Sequence, residues 1–149
     1  MDRYAFGGVI FSFFYEYDRL MRRLSTKSGL YSGQPRVITV MQAHPGCTLS
    51  ELAEMIGVGM PSLSVSVRNM RKSGLIRTDG DKLKGRKLYL TEEGMKKAEA
   101  FDNIFDEFLQ GFVDDLGAEN EDVIDGQLRN MVNVLHEYNV RYTSEEEKE

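Results

Sequence analysis

The stretch TLSELAEMIGVGMPSLSVSVRNMRKSG, Thr48 to Gly74, decides the fold. Thr48 and Glu51 stand at capping-box spacing. The threonine hydroxyl can accept from the Glu51 backbone N–H while the Glu51 side chain reaches back. Leu49, Leu52, Ala53 and Ile56 then fall on one face of a short helix, which Gly57 ends. After a tight turn at Val58-Gly59, Leu63, Val67 and Met70 recur at i, i+4 and i+7. This predicts a second helix from about Met60 to Lys72, ended by Ser73-Gly74. Two short helices joined by a glycine-containing turn make a helix-turn-helix.

Downstream, Leu75-Ile76-Arg77-Thr78 and Lys87-Leu88-Tyr89-Leu90 read as short strands. The loop between them carries Asp79-Gly80 and Lys84-Gly85, which predicts a hairpin. A basic hairpin directly after a helix-turn-helix is a wing. Upstream, a helix is expected from about Gly33 to Ala43, with Ser32 as N-cap and Pro35 in the first turn. His44-Pro45-Gly46 stops it. The expected winged-helix lobe is therefore about 32–91.

Long helices flank the lobe. Seven of the 15 aromatic residues lie in the first 17 positions, within a helix expected over about 4–24. Val9, Phe13, Tyr17, Leu20 and Leu24 form one apolar stripe; Phe6, Ile10, Phe14 and Met21 form its neighbour. A helix apolar on two sides is expected to be buried on two sides, which in a small protein calls for a partner chain. Thr91 caps a helix expected over about 91–116, with Phe101, Phe105, Phe108 and Phe112 in one stripe. At 1.5 Å per residue it is roughly 39 Å long, more than so small a domain needs for itself. Gly117 breaks it. A last helix is expected over about 120–143, where Ile124, Leu128, Met131, Leu135, Tyr138 and Tyr142 alternate steps of four and three, a helix-packing seam. The acidic tail, 144–149, is expected to be disordered. The fold class is mainly α with a small β-hairpin wing (α+β). It consists of one domain over 1–149, a winged helix-turn-helix lobe carrying long N- and C-terminal dimerisation helices.

Net charge is −5, but it is unevenly spread. Thr48–Thr91 carries 8 basic and 4 acidic residues; Glu92–Glu149 carries 5 basic and 17 acidic. A local basic excess is common on solvated surfaces, so it gains meaning only from its position on a helix-turn-helix and wing. The single cysteine, Cys47, allows no internal disulfide and suits a reducing cytoplasm. No apolar run approaches the roughly 18 residues of a membrane span, and the opening residues do not read as a signal peptide.

With Leu63 set inward at 100° per residue, Pro61, Val65, Arg68 and Lys72 point outward, with Ser62 and Asn69 at one flank. Val65 can meet a thymine methyl and Asn69 an adenine edge. Ser62, Ser64, Arg68 and Lys72 suit phosphates. In the wing, Lys82, Lys84, Arg86 and Lys87 are the candidates, Arg86 beside Gly85 being best placed for a narrow minor groove. The plainer readings are a solvated helix face and a hairpin whose lysines protect a sheet edge. Catalysis finds no phosphate loop, nucleophile elbow or histidine triad pattern. No metal or other cofactor is expected. His44 with Cys47 offers too few ligands for a zinc site, and His136-Glu137 lacks the second histidine of a zincin helix. Cys47 has no basic neighbour and reads as a packed thiol.

Gln34, Arg36-Val37-Ile38, His44-Pro45-Gly46, Thr48–Glu54, Gly57-Val58, Pro61–Ser64, Ser73–Ile76 and Leu90–Gly94 resemble the MarR family of winged-helix transcriptional regulators in order and spacing. The resemblance implies a homodimer held by N- and C-terminal helices and a sequence-specific regulator, a repressor, acting on double-stranded DNA. It implies a recognition helix in the major groove, a wing at the minor groove and a pseudo-palindromic operator. It also implies release by a small aromatic or amphipathic effector, for which Phe11, Phe14, Tyr15 and Tyr31 are the expected lining residues. Members often carry basic residues near Met60 and Val65 and an Asp-Arg-Arg-like wing. This chain has neither: its wing reads Asp81-Lys82-Leu83-Lys84-Gly85-Arg86. The competing expectation is a winged-helix protein-interaction module without DNA binding.

Overall fold

In a computed structural model of the protein, which describes residues 2–80 and 82–146, the capping box at Thr48 is formed. The Thr48 backbone N–H donates to Glu51 Oε2 at 2.7 Å, and the Glu51 N–H donates to Thr48 Oγ1 at 3.4 Å. The Thr48 N–H bond and the Thr48 hydroxyl, which donates to Glu51 Oε2 at 2.9 Å, hold the Glu51 carboxyl below the usual carboxylate range, with a smaller contribution from the Lys87 cation. At the other end of the same helix Gly57 adopts φ +73°, and the Val58 N–H reaches back five residues to Ala53 O, a Schellman closure. Arg36 Nη2 donates to Ile56 O at 2.6 Å and satisfies another carbonyl there.

The elements in order are α1 (Arg3–Lys27), α2 (Gln34–Ala43), α3 (Leu49–Ile56), α4 (Met60–Lys72), β1 (Ile76–Thr78), β2 (Leu88–Leu90), α5 (Glu92–Leu116), a 3-10 turn (Ala118–Asn120) and α6 (Glu121–Glu146). The chain divides into two units, Met1–Asp106 and Glu107–Glu149. In the first, α3 and α4 make the helix-turn-helix, and β1 and β2 pair antiparallel with Ile76 opposite Leu90 and Thr78 opposite Leu88. The core gathers one face of each element: Ile38 from α2, Leu52 from α3, Val67 and Met70 from α4, Ile76 from β1 and Leu88 from β2 are all essentially inaccessible to water. Those from α3 and α4 are the inward positions set by the apolar spacing.

Several local features differ from the sequence expectation. The N-cap of α2 is Gly33, not Ser32. Gln34 takes over part of the capping, its Oε1 accepting the Tyr31 N–H at 2.9 Å. The hairpin also gains a third edge: Gly46 N–H donates to Leu88 O at 3.0 Å, Leu88 N–H to Cys47 O at 2.9 Å, and Thr48 bridges Lys87. α1 runs three residues past its expected end, its last turn anchored in the lobe by buried Leu24, Ser25 and Ser28. In contrast, its Tyr4, Phe11 and Tyr15 are largely exposed.

In the second unit, Phe108 and Phe112 pair at 5.5 Å at the end of α5. The packing seam of α6 is exposed from Leu128 through Met131, Leu135 and Tyr138 to Tyr142. α6 continues to Glu146, beyond its expected end at 143. The expected disorder of the last residues, 147–149, lies outside the described residues. No helix among the described residues is long and apolar enough to cross a membrane.

One contact ties the wing to α5. The Thr91 N–H donates to Leu75 O at 3.0 Å, and Thr91 Oγ1 accepts the Gly94 N–H at 3.0 Å while donating to Gly74 O. This draws Gly94 so close that a Cβ there would stand 2.1 Å from Leu75 O. The obstacle is backbone, not a flexible side chain. Gly94→Ala should therefore destabilise the fold by about 1 kcal/mol, since overpacking of 1–3 kcal/mol outweighs alanine's roughly 1 kcal/mol helix advantage. A denaturant midpoint at or above that of the unaltered protein would contradict the close approach.

Candidate nucleic-acid interface

α4 buries Leu63, Val67 and Met70, and this fixes what it presents outward. Pro61, Val65, Arg68 and Lys72 form an exposed ridge, flanked by exposed Ser62 and Asn69; Ser64 is half-buried. Arg68 Nη2 donates to Ser64 Oγ at 3.2 Å, so the guanidinium is steered along the helix rather than left to sample solvent. The N-terminus of α4 has Gly59 as cap and no side-chain capping bond, which leaves its first N–H groups open to an acceptor.

The wing stands on one side of this ridge. Lys82, Lys84, Arg86 and Lys87 are all exposed, and none makes a salt bridge among the described residues. Arg86 N–H donates to Leu83 O at 3.2 Å across the turn, and its guanidinium lies against Gly80, 3.3 Å from where a Cβ would be. Lys87 sits near enough to Glu51 to lower that carboxyl, so part of its field is spent on the α3 cap. At the base of the wing the Arg77 guanidinium stacks on the Tyr89 ring at 4.7 Å, stiffening the strand pair. A cavity of about 410 Å³ elsewhere on the lobe is lined by His44, Cys47, Glu51 and Glu54.

Two concavities flank the α4 ridge. The first, about 740 Å³, lies between α3, α4 and the wing and is lined by Leu49, Met60, Ser64, Arg68, Lys82 and Lys84, among others. The second, about 470 Å³, lies on the other flank, lined by Ser62, Val65, Ser66, Asn69 and Ser73 of α4 and its C-cap and by Tyr31, Ser32 and Gln34 of the α1–α2 connection. From the sequence, Tyr31 was expected to line an effector site with Phe11, Phe14 and Tyr15. The structure places Tyr31 beside α4, 78% exposed, while Phe11, Phe14 and Tyr15 lie on exposed turns of α1. From the sequence, Ser32 figured only as an N-cap and Gln34 only in the family resemblance; Ser66 did not figure at all, and none of the three was a site candidate. They lie about thirty residues apart along the chain, and no periodic signal links them.

Residues 28–87 match the sequence model of the MarR family. Over those residues the lobe resembles the winged helices of that family. Solved structures carry the likeness over most of the chain. A MarR family transcription regulator matches with a TM-score of 0.80 at 14% identity, covering 90% of each chain. Staphylococcus aureus MepR, in a DNA complex, matches at 0.73 and 23% identity, over 91% of this chain and 99% of its own. Streptococcus pneumoniae FabT, also in complex with DNA, matches at 0.76 and 17% identity, over 91% and 99%. At such identities the likeness is one of fold. No curated protein matches the sequence.

The lobe carries the chain's one cysteine inside. Cys47 is buried, and burial, reinforced by the Glu51 carboxylate, pushes its thiol above the ordinary range. The reactive species is the thiolate. A disulfide reagent at pH 7 should therefore modify the folded protein about tenfold or more slowly than the denatured chain; equal rates would show the thiol to be open and activated.

Proposed function

We propose that this chain is a homodimeric, sequence-specific regulator of transcription, a repressor, that acts in the cytoplasm on double-stranded DNA. The observation that carries the reading is the exposed α4 ridge standing beside a wing whose four cations are free of salt bridges among the described residues. Cations without such partners are available to replace the counterions condensed on phosphates. Val65 and Asn69 meet base edges, Ser62, Ser64, Arg68 and Lys72 meet phosphates, and Arg86 swings from Gly80 into the minor groove, with Lys82, Lys84 and Lys87 around it. A homodimer follows from the apolar faces that a single chain leaves open: Tyr4 to Tyr17 on α1 and Leu128 to Tyr142 on α6. Its two-fold symmetry calls for a pseudo-palindrome with half-sites about one helical turn apart.

An aromatic or amphipathic effector then works by changing the spacing of the two lobes. Phe11, Phe14 and Tyr15 are the candidate contacts on α1. A tenfold loss of DNA affinity needs about 1.4 kcal/mol of coupling. The uncharged start of α4, with Met60 and Val65 where relatives often carry basic residues, favours a second reading, a protein-interaction module without DNA binding.

Salt-titrated fluorescence anisotropy on duplex DNA separates the two. The DNA reading expects affinity to fall steeply with salt. Arg86→Ala should lower that slope by about one, and Asn69→Ala should relax preference at one base pair per half-site by roughly 1–3 kcal/mol. Salt-insensitive or absent binding would favour the interaction module. Sedimentation of the same sample should give a dimer at micromolar concentration; a well-folded monomer would contradict the open apolar faces as an interface.

A further inference from the structure

The two flanks of α4 differ in chemistry. The wing side is cationic; the other side carries no charge, yet it is dense in hydrogen-bond donors. Ser32, Ser62 and Ser66 hydroxyls and the Asn69 amide all line it, and none hydrogen-bonds elsewhere among the described residues. The most telling group is Gln34. The residue is 93% buried, and its Oε1 is held by the Tyr31 N–H. Its Nε2 donates to no protein acceptor, yet no buried side-chain nitrogen among the described residues is left unsatisfied. The amide nitrogen therefore opens to solvent, at the notch that Gln34 lines. A nearly buried amide with one end fastened and the other offering two N–H donors is a rigid, preset donor.

We propose that this uncharged notch holds a backbone phosphate of bound duplex DNA, on the strand opposite the one that meets the wing. The inference rests on the DNA reading above and extends it to Ser32, Gln34 and Ser66, while Tyr31 moves from effector contact to DNA contact. A helix 10–12 Å across fills a major groove about 12 Å wide, so a phosphate backbone runs along each of its flanks. With the Pro61–Val65–Lys72 ridge in the groove, one backbone faces the cations near Arg68 and Lys84. The other faces hydroxyls and amides. Phosphate oxygens accept from either kind of donor, but only the cations release counterions when they bind. The neutral flank thus supplies register and affinity without salt dependence, and it supplies them where Met60 and Val65 bring no charge.

The test uses the full-length protein with Ser32→Ala and Ser66→Ala combined, both surface changes that leave the Gln34–Tyr31 bond intact, and separately with Tyr31→Phe. Affinity for a duplex bound by the unaltered protein should fall about tenfold in the double variant, roughly the loss of one to two neutral hydrogen bonds. The slope of log Kd against log salt should stay unchanged, whereas Arg86→Ala should lower it. Replacing single phosphates of the duplex by uncharged methylphosphonates should find one position per half-site whose loss weakens the unaltered protein but weakens the double variant much less. Unchanged affinity in both variants, or additive losses at every phosphate, would overturn the anchor while leaving the DNA reading intact. No binding by the unaltered protein at low salt would overturn both.

Discussion

The lobe depends on the closure at Leu75. Its carbonyl accepts the Thr91 N–H and lies against the Cα of Gly94, while Leu75 N–H reaches back five residues to Met70 O. One residue thereby terminates α4, starts the hairpin and seats the first turn of α5. The wing has only three residue pairs in its ladder, too few to be stable alone in water. It is held in place because both of its ends are fixed by this closure and because Leu88 pairs outward with Gly46 and Cys47. The angle between wing and α4 is thus set by backbone hydrogen bonds in the interior, which are costly to break. Surface charges can vary without disturbing it.

What was legible in the sequence follows from which interactions are local. The Thr48–Glu51 box spans three residues and Leu63–Val67–Met70 spans seven, so each leaves its signature in spacing. The wing was readable because Asp79-Gly80 and Lys84-Gly85 punctuate two β-rich segments. The third edge at Cys47-Thr48 was not readable: a single bridge beside a turn has no periodicity, and its hydrogen bonds involve backbone only. Gly94 read as an ordinary first-turn residue, because the carbonyl it faces is 19 positions away. Ser32 looked like a cap by residue type, but Gly33, at φ +83°, ends the loop in a conformation only glycine takes readily, and this moves the cap one residue on.

The site was legible in part, for the same reason. The outward ridge of α4 follows from helical geometry once the inward residues are known, and the wing cations follow from composition. The neutral flank is a tertiary product. Gln34 at the start of α2 and Ser66 on α4 line one notch only in the folded chain, and nothing in either segment announces the other. Tyr31 shows the limit of reading by composition: grouped with the α1 aromatics on chemistry alone, it belongs in space to the flank of α4.

The charge pattern also becomes intelligible at this level. On the proposed DNA reading, a chain of net charge −5 that approaches a polyanion gains from keeping its cations few and concentrated, since long-range repulsion by the acidic remainder is screened beyond about 10 Å at ordinary salt. Inside that distance only nearby groups count, and these are the wing, Arg68 and Lys72. Adding cations at Met60 or Val65 would raise affinity for every sequence alike, because phosphates are the same everywhere. Hydroxyls and amides held at fixed positions strengthen only the docked geometry in which they align. If α4 is the proposed recognition face, a basic flank and a neutral one trade general affinity for dependence on register, and that trade raises the ratio of specific to nonspecific binding.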